Sequence, residues 1–286
     1  MTQAVAQSSA SASADVIVVG AGPAGSSAAY HMATLGLDVI LLEKQELGRD
    51  KVCGDGLTPS AVRELVSMGM DTTGWQRNRG LRVIGGGHLL HFPWPEQASF
   101  PSYGMARPRA LLDRDLAEHA AAAGARLLTG VTVTAPVTSP TGRVTGVEAR
   151  PTNRVTYPGI EGPTTFTAPL VVDAGGVSAR LATAVGRTKN ERRPMGVAVR
   201  AYFRSPRAQD AWMESRLELW DGTPGKSDLL PGYGWIWSVG EGLVNVGLGS
   251  VSSRAQATSI DYRAVFNRWM DNVPASWGFT KENQVG

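Results

Sequence analysis

The residues with the clearest chemical content are Gly20-Ala21-Gly22-Pro23-Ala24-Gly25, spaced G-x-G-x-x-G. They follow directly on Val16-Ile17-Val18-Val19, four β-branched apolar residues. Such a run suits a strand buried on both faces of a parallel sheet. Each glycine then has its own duty. Gly20 permits a tight turn, Gly22 lets a pyrophosphate approach the backbone, and Gly25 lets the next helix lie close to the strand. The phosphates would sit at the start of that helix, around Ala24, where unpaired N–H groups and the helix dipole favour an anion. A second apolar run, Val39 to Leu42, ends in Glu43, 23 residues after Gly20 (43 − 20). An acid near that distance accepts hydrogen bonds from a ribose. The unit therefore reads as a dinucleotide site. Glu43 would repel a 2′-phosphate, which disfavours NADP. The continuation Gly25-x3-Ala29-x6-Gly36 is typical of flavoproteins that bind FAD at their N-terminus, so FAD is the nucleotide expected.

Other residues carry weaker chemical signals. Cys53 is the single cysteine, which excludes an intrachain disulfide and any multi-cysteine zinc or iron–sulfur site. Gly54-Asp55-Gly56 follows it, and Thr58-Pro59 reads as the cap and first residue of a helix over 59–69. A thiol on the N-terminal side of a helix can be reactive. Cys53 can equally be a small apolar wall residue, and both readings stand. The two glycines around Asp55 imply a backbone that passes close to something flat, the flavin ring. Arg109 falls in the first turn of a helix over 108–123, a poor place for a cation without an anion nearby. It is either an anion contact or an ordinary surface arginine. His88 and His91 would point to opposite faces of a strand. With His31 and His119 on helices, no metal site is visible. Leu170-Val171-Val172-Asp173-Ala174-Gly175-Gly176 repeats the pattern of a buried strand meeting a glycine turn. Tyr233, Trp235 and Trp237 alternate, so in a strand they share one face. They could wall an apolar tunnel or simply pack a sheet.

Residues 15–56 resemble the FAD-dependent geranylgeranyl reductase family, a branch of the fold shared with aromatic hydroxylases. Arg49-Asp50-Lys51-Val52-Cys53-Gly54-Asp55-Gly56-Leu57 looks like the family's R-x-K-x-C-G-x-G-L segment. Phe100-Pro101-Ser102-Tyr103-Gly104, Arg109-x-x-Leu112-Asp113 and Pro231-Gly232-Tyr233-Gly234-Trp235-Ile236 extend the likeness to about Thr280. It is closest to actinobacterial members that saturate an isoprene unit of a menaquinone side chain. The resemblance implies that reduced FAD delivers a hydride to an isolated prenyl C=C while a proton adds to the other carbon. It also implies a catalytic or flavin-contacting Cys53 and cofactor contacts from Arg49, Gly54, Gly56 and, on the phosphate side, Arg109. Val133 would lie beside the adenine. Asp173 and Gly175 would form a second FAD fingerprint, with the acid displaced by one position from A-D-G-x-x-S. Tyr233, Trp235 and Trp237 would line the isoprenoid tunnel. Trp237-Ser238 departs from the family's usual Phe-Pro. The alternatives are a monooxygenase of aromatic substrates, a halogenase that lacks the expected Ile-Pro after Trp235-x-Trp237, and an inactive flavin-binding remnant. The family continues with a third FAD segment, Gly-Asp-Ala-Ala-Gly, which residues 250–286 do not supply. The expectation is that this chain alone holds FAD weakly, turns over little, and leaves a helix over 260–270 without the partners that follow it in the family.

These residues need an α/β scaffold. The chain has 286 residues, 42% hydrophobic and 19% charged, with 34 glycines, a globular composition rather than a disordered one. The expected fold is a Rossmann-like FAD-binding domain of the aromatic-hydroxylase/geranylgeranyl-reductase type over 15–186, with inserted strands at about 75–105. An antiparallel-sheet substrate domain over 187–286 follows, and residues 1–14 form a disordered lead-in. Within the first domain, Val131 to Thr134 reads as a strand returning to the nucleotide sheet. Strands near 143–150, 153–157 and 164–168 read as an exposed meander. Residues 81–92 read as strand broken by glycines, and 195–203, 217–220 and 243–248 as strands of the substrate domain. Arg187 to Arg193 is either a solvated connection or an anionic-headgroup contact. The net charge of +3 is too small to argue for nucleic acid. No stretch reaches the ~18 apolar residues of a membrane span, and Met1 to Ala14 lacks the form of a secretory signal. The expected setting is cytoplasmic, with peripheral contact at the inner membrane face compatible. The expected partners are a prenyl lipid and an electron donor that the sequence does not identify.

Overall fold

A computed structural model describes residues 11–152, 162–188, 190, 193–252 and 260–285. These residues form two compact units, one drawn from 1–50 and 110–189, the other from 51–109 and 190–286.

The first unit is built on four parallel strands in the order Leu170–Asp173, Val16–Val19, Val39–Glu43, Arg126–Thr129. Side chains alternate across a strand, so a wholly apolar run needs cover on both sides. Val16, Val18, Val39 and Leu41 pack with Ala29 of helix Pro23–Thr34 and with Ala117 and Ala120 of helix Arg109–Ala122. Ile17, Ile40 and Leu42 pack on Val147, Ala149 and Phe166 of a second sheet. Its strand order is Ser11–Ser13, Thr164–Thr167, Val144–Pro151, Val131–Thr138. Neighbours there are antiparallel except the first pair, which is parallel.

Several expectations are corrected in this unit. The lead-in is not disordered throughout: Ser11–Ser13 pairs with Thr165, Phe166 and Thr167, and Ala12 and Ala14 pack on the core. Residues 1–10 lie outside the described part. The strand that joins the parallel sheet is Arg126–Thr129, not Val131 to Thr134. Gly130, at φ 70°, turns the chain between them, and Val131 opens the second sheet. That sheet is not an exposed meander, because one of its faces covers the parallel strands and buries Val147 and Phe166. The strand expected at 153–157 lies outside the described residues.

The second unit centres on a six-stranded sheet in the order Met195–Arg204, Leu243–Ser252, Gly232–Gly240, Trp212–Arg216, Gly80–Gly85, His88–Pro93. Neighbours are antiparallel except Trp212–Arg216 and Gly80–Gly85, which run parallel. That pairing corrects the domain division. Residues 51–109 belong with the second unit because Gly80–Gly85 is hydrogen-bonded inside its sheet. Gly86 and Gly87, at φ 57° and 77°, make the two-residue turn of the hairpin that follows. The strand Trp212–Arg216 was not anticipated. Its Glu214 is 2% exposed, and ion pairs to Arg82 and Arg216 at 3.2 and 2.8 Å make that burial tolerable. The expected strand at 217–220 shortens to Leu219–Trp220, paired with Leu229–Leu230 in a separate ribbon.

Helix Tyr262–Met270 begins at Asp261, whose side chain accepts from the N–H groups of Arg263 and Ala264. It packs against the sheet of this unit. Tyr262, Val265, Phe266 and Trp269 form one core with Phe203, Val244, Val246 and Leu248 of the sheet and with Trp277. Gly234 is glycine for this reason: a Cβ there would lie 2.1 Å from the Trp269 ring. On a small three-stranded sheet, Gly56–Leu57 and Gln76–Asn78 flank Gly104–Ala106. Helix Pro59–Ser67 follows, with Thr58 as its cap.

Candidate functional site

In the first unit the fingerprint glycines differ in what surrounds them. Gly20 has φ +102°, and a Cβ there would lie 2.7 Å from the Ala174 carbonyl oxygen. A Cβ on Gly25 would lie 1.8 Å from the Gly20 carbonyl oxygen and 3.1 Å from the Ala174 methyl. A Cβ on Gly22 would meet nothing within 4 Å. Gly22 is also the N-cap of helix Pro23–Thr34 and has no side chain to cap it, so the N–H groups around Ala24 are left for another acceptor. Glu43 closes the loop from the neighbouring strand. Its Oε2 accepts from the Ala21 N–H at 2.9 Å and its Oε1 from the Gln45 N–H at 3.0 Å. A carboxylate has about four lone-pair positions, so acceptor capacity remains for hydroxyl groups.

Ala174 brings the second glycine turn against the first. Asp173 holds that turn, since its Oδ1 accepts from the Gly175 N–H at 3.0 Å and its Oδ2 from the Ala182 N–H at 2.8 Å. Val133 lies in the second sheet, in register with Ala149, and Arg49 is exposed.

In the second unit the sheet grips the backbone after Cys53. Asn245 Nδ2 donates to the Cys53 carbonyl at 2.9 Å, Trp237 Nε1 to the Gly54 carbonyl at 2.6 Å, and the Arg107 N–H to the Asp55 carbonyl at 3.0 Å. Cys53 itself is a half-buried free thiol. A Cβ on Gly54 would lie 2.9 Å from the Trp237 ring, and one on Gly56 2.4 Å from the Met213 methyl. Packing within the unit therefore accounts for both glycines.

Asp55 is the residue that sequence reasoning missed. It is 1% exposed, with a left-handed backbone at φ 61°, a conformation aspartate tolerates better than most residues. Its Oδ1 accepts from the Arg109 N–H at 3.0 Å, and its Oδ2 from the Tyr202 hydroxyl and, at 2.7 Å, from Asn245 Nδ2. Burial pushes the Asp55 pKa up. The Tyr202, Asn245 and Arg109 hydrogen bonds and the Arg200 charge oppose that shift without cancelling it. Asp55 thus sets an acidic side chain against the Arg109 N–H. The available signal was an acidic residue held between two glycines.

Trp235 and Trp237 are buried in a cluster with Ala106, Met213 and Val239, their rings 6.0 Å apart. Trp235 Nε1 donates to Asn245 Oδ1 at 2.8 Å. Tyr233, 6.1 Å from Trp235 between ring centres, is 43% exposed.

Residues 13–257 match the family described as FAD binding domain. The chain belongs to that family. FAD is therefore the nucleotide of the glycine fingerprint. Over 277 residues the chain is 39% identical to the menaquinone reductase of Mycolicibacterium smegmatis, covering 96% of this chain and 64% of that protein. It is 30% identical over 256 residues to the digeranylgeranylglycerophospholipid reductase 1 of Methanosphaera stadtmanae, covering 87% and 57%. The chain thus spans under two thirds of the length of these relatives. Among solved structures, a geranylgeranyl bacteriochlorophyll reductase-like protein of Thermoplasma acidophilum superposes with a TM-score of 0.73 at 23% identity, covering 93% of this chain and 63% of that one. That likeness shows the fold.

The FAD-binding domain fits its cofactor where a fit can be tested. The flank of Gly22 is open, at an uncapped helix start, with the Glu43 carboxylate at the neighbouring strand end. The first unit brings Gly20, Gly22, Ala24, Gly25, Glu43, Asp173 and Gly175 together around two adjoining glycine turns. The second unit brings together Cys53, Gly54, Gly56, Arg109, Trp235 and Trp237 through Asp55 and Asn245.

Proposed function

We propose that the protein reduces isolated carbon–carbon double bonds of a prenyl chain, of the geranylgeranyl or menaquinone type. The observation that carries this reading is the 39% identity with a menaquinone reductase along 96% of the chain. FAD, when bound, supplies the hydride. The chain's residues bind, orient and exclude water. The helix start at Gly22 and Ala24 takes the pyrophosphate, and Glu43 takes ribose hydroxyls. Arg49, Arg109, Val133, Asp173 and Gly175 are proposed as further cofactor contacts. Cys53 is placed at the reacting face, with Gly54 and Gly56 beside it. Tyr233, backed by Trp235 and Trp237, offers an apolar surface to the isoprenoid. A lipid substrate brings with it peripheral contact at the inner membrane face of the cytoplasm and a separate electron donor. No helix among the described residues is long and apolar enough to cross a membrane.

The deciding experiment is anaerobic. With a chemical reductant and a prenyl substrate, a reductase yields product two mass units heavier without oxygen. A requirement for oxygen would instead identify a monooxygenase, and product under neither condition an inactive flavin protein.

Two variants extend the test. Glu43→Ala should weaken FAD binding by roughly 1.5–3 kcal/mol, the scale of hydrogen bonds to a charged acceptor. Unchanged affinity in a flavin titration would remove Glu43 from the site. Cys53→Ser should lower turnover more than FAD content, and wild-type turnover would make Cys53 a packing residue.

A further inference from the structure

One buried side chain holds the Cys53 carbonyl. Asn245 has no exposed surface, and both of its side-chain polar atoms are engaged. Its Oδ1 accepts from Trp235 Nε1 at 2.8 Å, and Nδ2 donates to the Cys53 carbonyl at 2.9 Å and to Asp55 Oδ2 at 2.7 Å. An amide nitrogen has two hydrogens and an indole nitrogen only donates. Turning the amide over would therefore set Oδ1 against two acceptors and Nδ2 against a donor, so Trp235 fixes which way Asn245 faces. Asp55 is fixed in turn by the Arg109 N–H and the Tyr202 hydroxyl.

Packing does not call for an amide at this place. Asn245 stands mid-strand, in register with Trp237 and Tyr202, where an apolar side chain of similar volume would bury without needing partners. What the amide adds is a fixed distance from the sheet to the segment carrying Cys53. We infer that Asn245, oriented by Trp235 and seconded by Asp55, is a positioning residue that sets the Cys53 segment for the reaction. This rests on the reading of Cys53 proposed above.

The chain has one cysteine, so a thiol reagent such as 5,5′-dithiobis(2-nitrobenzoate) reports on Cys53 alone in the purified full chain. Asn245→Ala should raise the labelling rate at fixed pH about tenfold, the factor expected when local opening loses the restraint of a hydrogen bond. Trp235→Phe keeps an aromatic side chain, smaller than the indole, and removes the orienting N–H; it should raise the rate about threefold. Val246→Ala, a core truncation on the opposite face, should leave the rate unchanged although it lowers the melting temperature. Wild-type labelling in folded Asn245→Ala and Trp235→Phe would overturn the inference. An equal rise in Val246→Ala would do the same, by showing general loosening. If neither Asn245→Ala nor Trp235→Phe folds, the pair is a folding requirement and the positioning role is likewise refuted. Full turnover in Cys53→Ser would refute the catalytic reading of Cys53 while leaving the labelling result intact, so the two failures are distinguishable.

Discussion

Gly22→Val should give a chain that folds as well as the wild type and does not retain FAD. Gly22 sits at φ −77° and ψ −178°, an extended conformation that a β-branched residue adopts readily. Nothing lies within 4 Å of the added Cβ. The melting temperature without FAD should therefore hardly move. The valine would instead occupy the pyrophosphate's place, and an overpacked binding site of this kind loses about 3 kcal/mol or more, over a hundredfold in affinity. Gly25→Ala should do the reverse. Its Cβ would stand 1.8 Å from the Gly20 carbonyl oxygen, in a loop already tied by the Gly20 N–H to the Leu42 carbonyl at 2.7 Å. Backbone must move, at a cost of about 4 kcal/mol or more, and the loss should appear in thermal unfolding of the FAD-free chain. Wild-type flavin content in Gly22→Val would exclude this helix start as the phosphate site. Wild-type stability in Gly25→Ala would mean that the helix is free to shift from the strand.

The contrast between these two glycines also marks how much of the site was legible. The fingerprint could be read because its logic is local: Val16 to Val19, the glycine turn and the Glu43 strand end lie within thirty residues and dictate one another. The wholly apolar run Val16–Val19 also called for cover on both faces, which the helices and the second sheet supply. Asp55 stayed hidden because its meaning lies in partners 147 and 190 residues away, Tyr202 and Asn245. Trp212–Arg216 stayed hidden because Glu214 and Arg216 look solvated until Arg82 arrives from a distant hairpin. For the same reason residues 51–109 looked like part of the nucleotide domain. The strand that claims them pairs across more than a hundred residues, and no local periodicity records that pairing.

Asp55→Ala should destabilise the chain by roughly 3–5 kcal/mol at neutral pH, because the Arg109 N–H, the Tyr202 hydroxyl and Asn245 Nδ2 would each lose a buried acceptor. The more diagnostic variant is Asp55→Asn, compared with the wild type across pH. Burial raises the Asp55 pKa in the folded chain despite its donors and Arg200, so the folded state keeps a proton that the unfolded state has released. Stability then falls as pH rises. The stability linked to this proton is fully present below about pH 4, the ordinary aspartate range, and is lost as pH passes through the raised folded value. Asparagine resembles the protonated acid in shape and does not titrate. The difference in denaturant midpoint, wild type minus Asp55→Asn, should therefore decrease through that window and level off above it. Other carboxylates titrate in both proteins and cancel in the difference. A difference that instead grows with pH would mean that the three donors and Arg200 outweigh desolvation, making Asp55 a stabilising anion. In the expected case Asp55 has a different character: ionising it strains a buried hydrogen-bonded group made of the Arg109 N–H, the Tyr202 hydroxyl and Asn245.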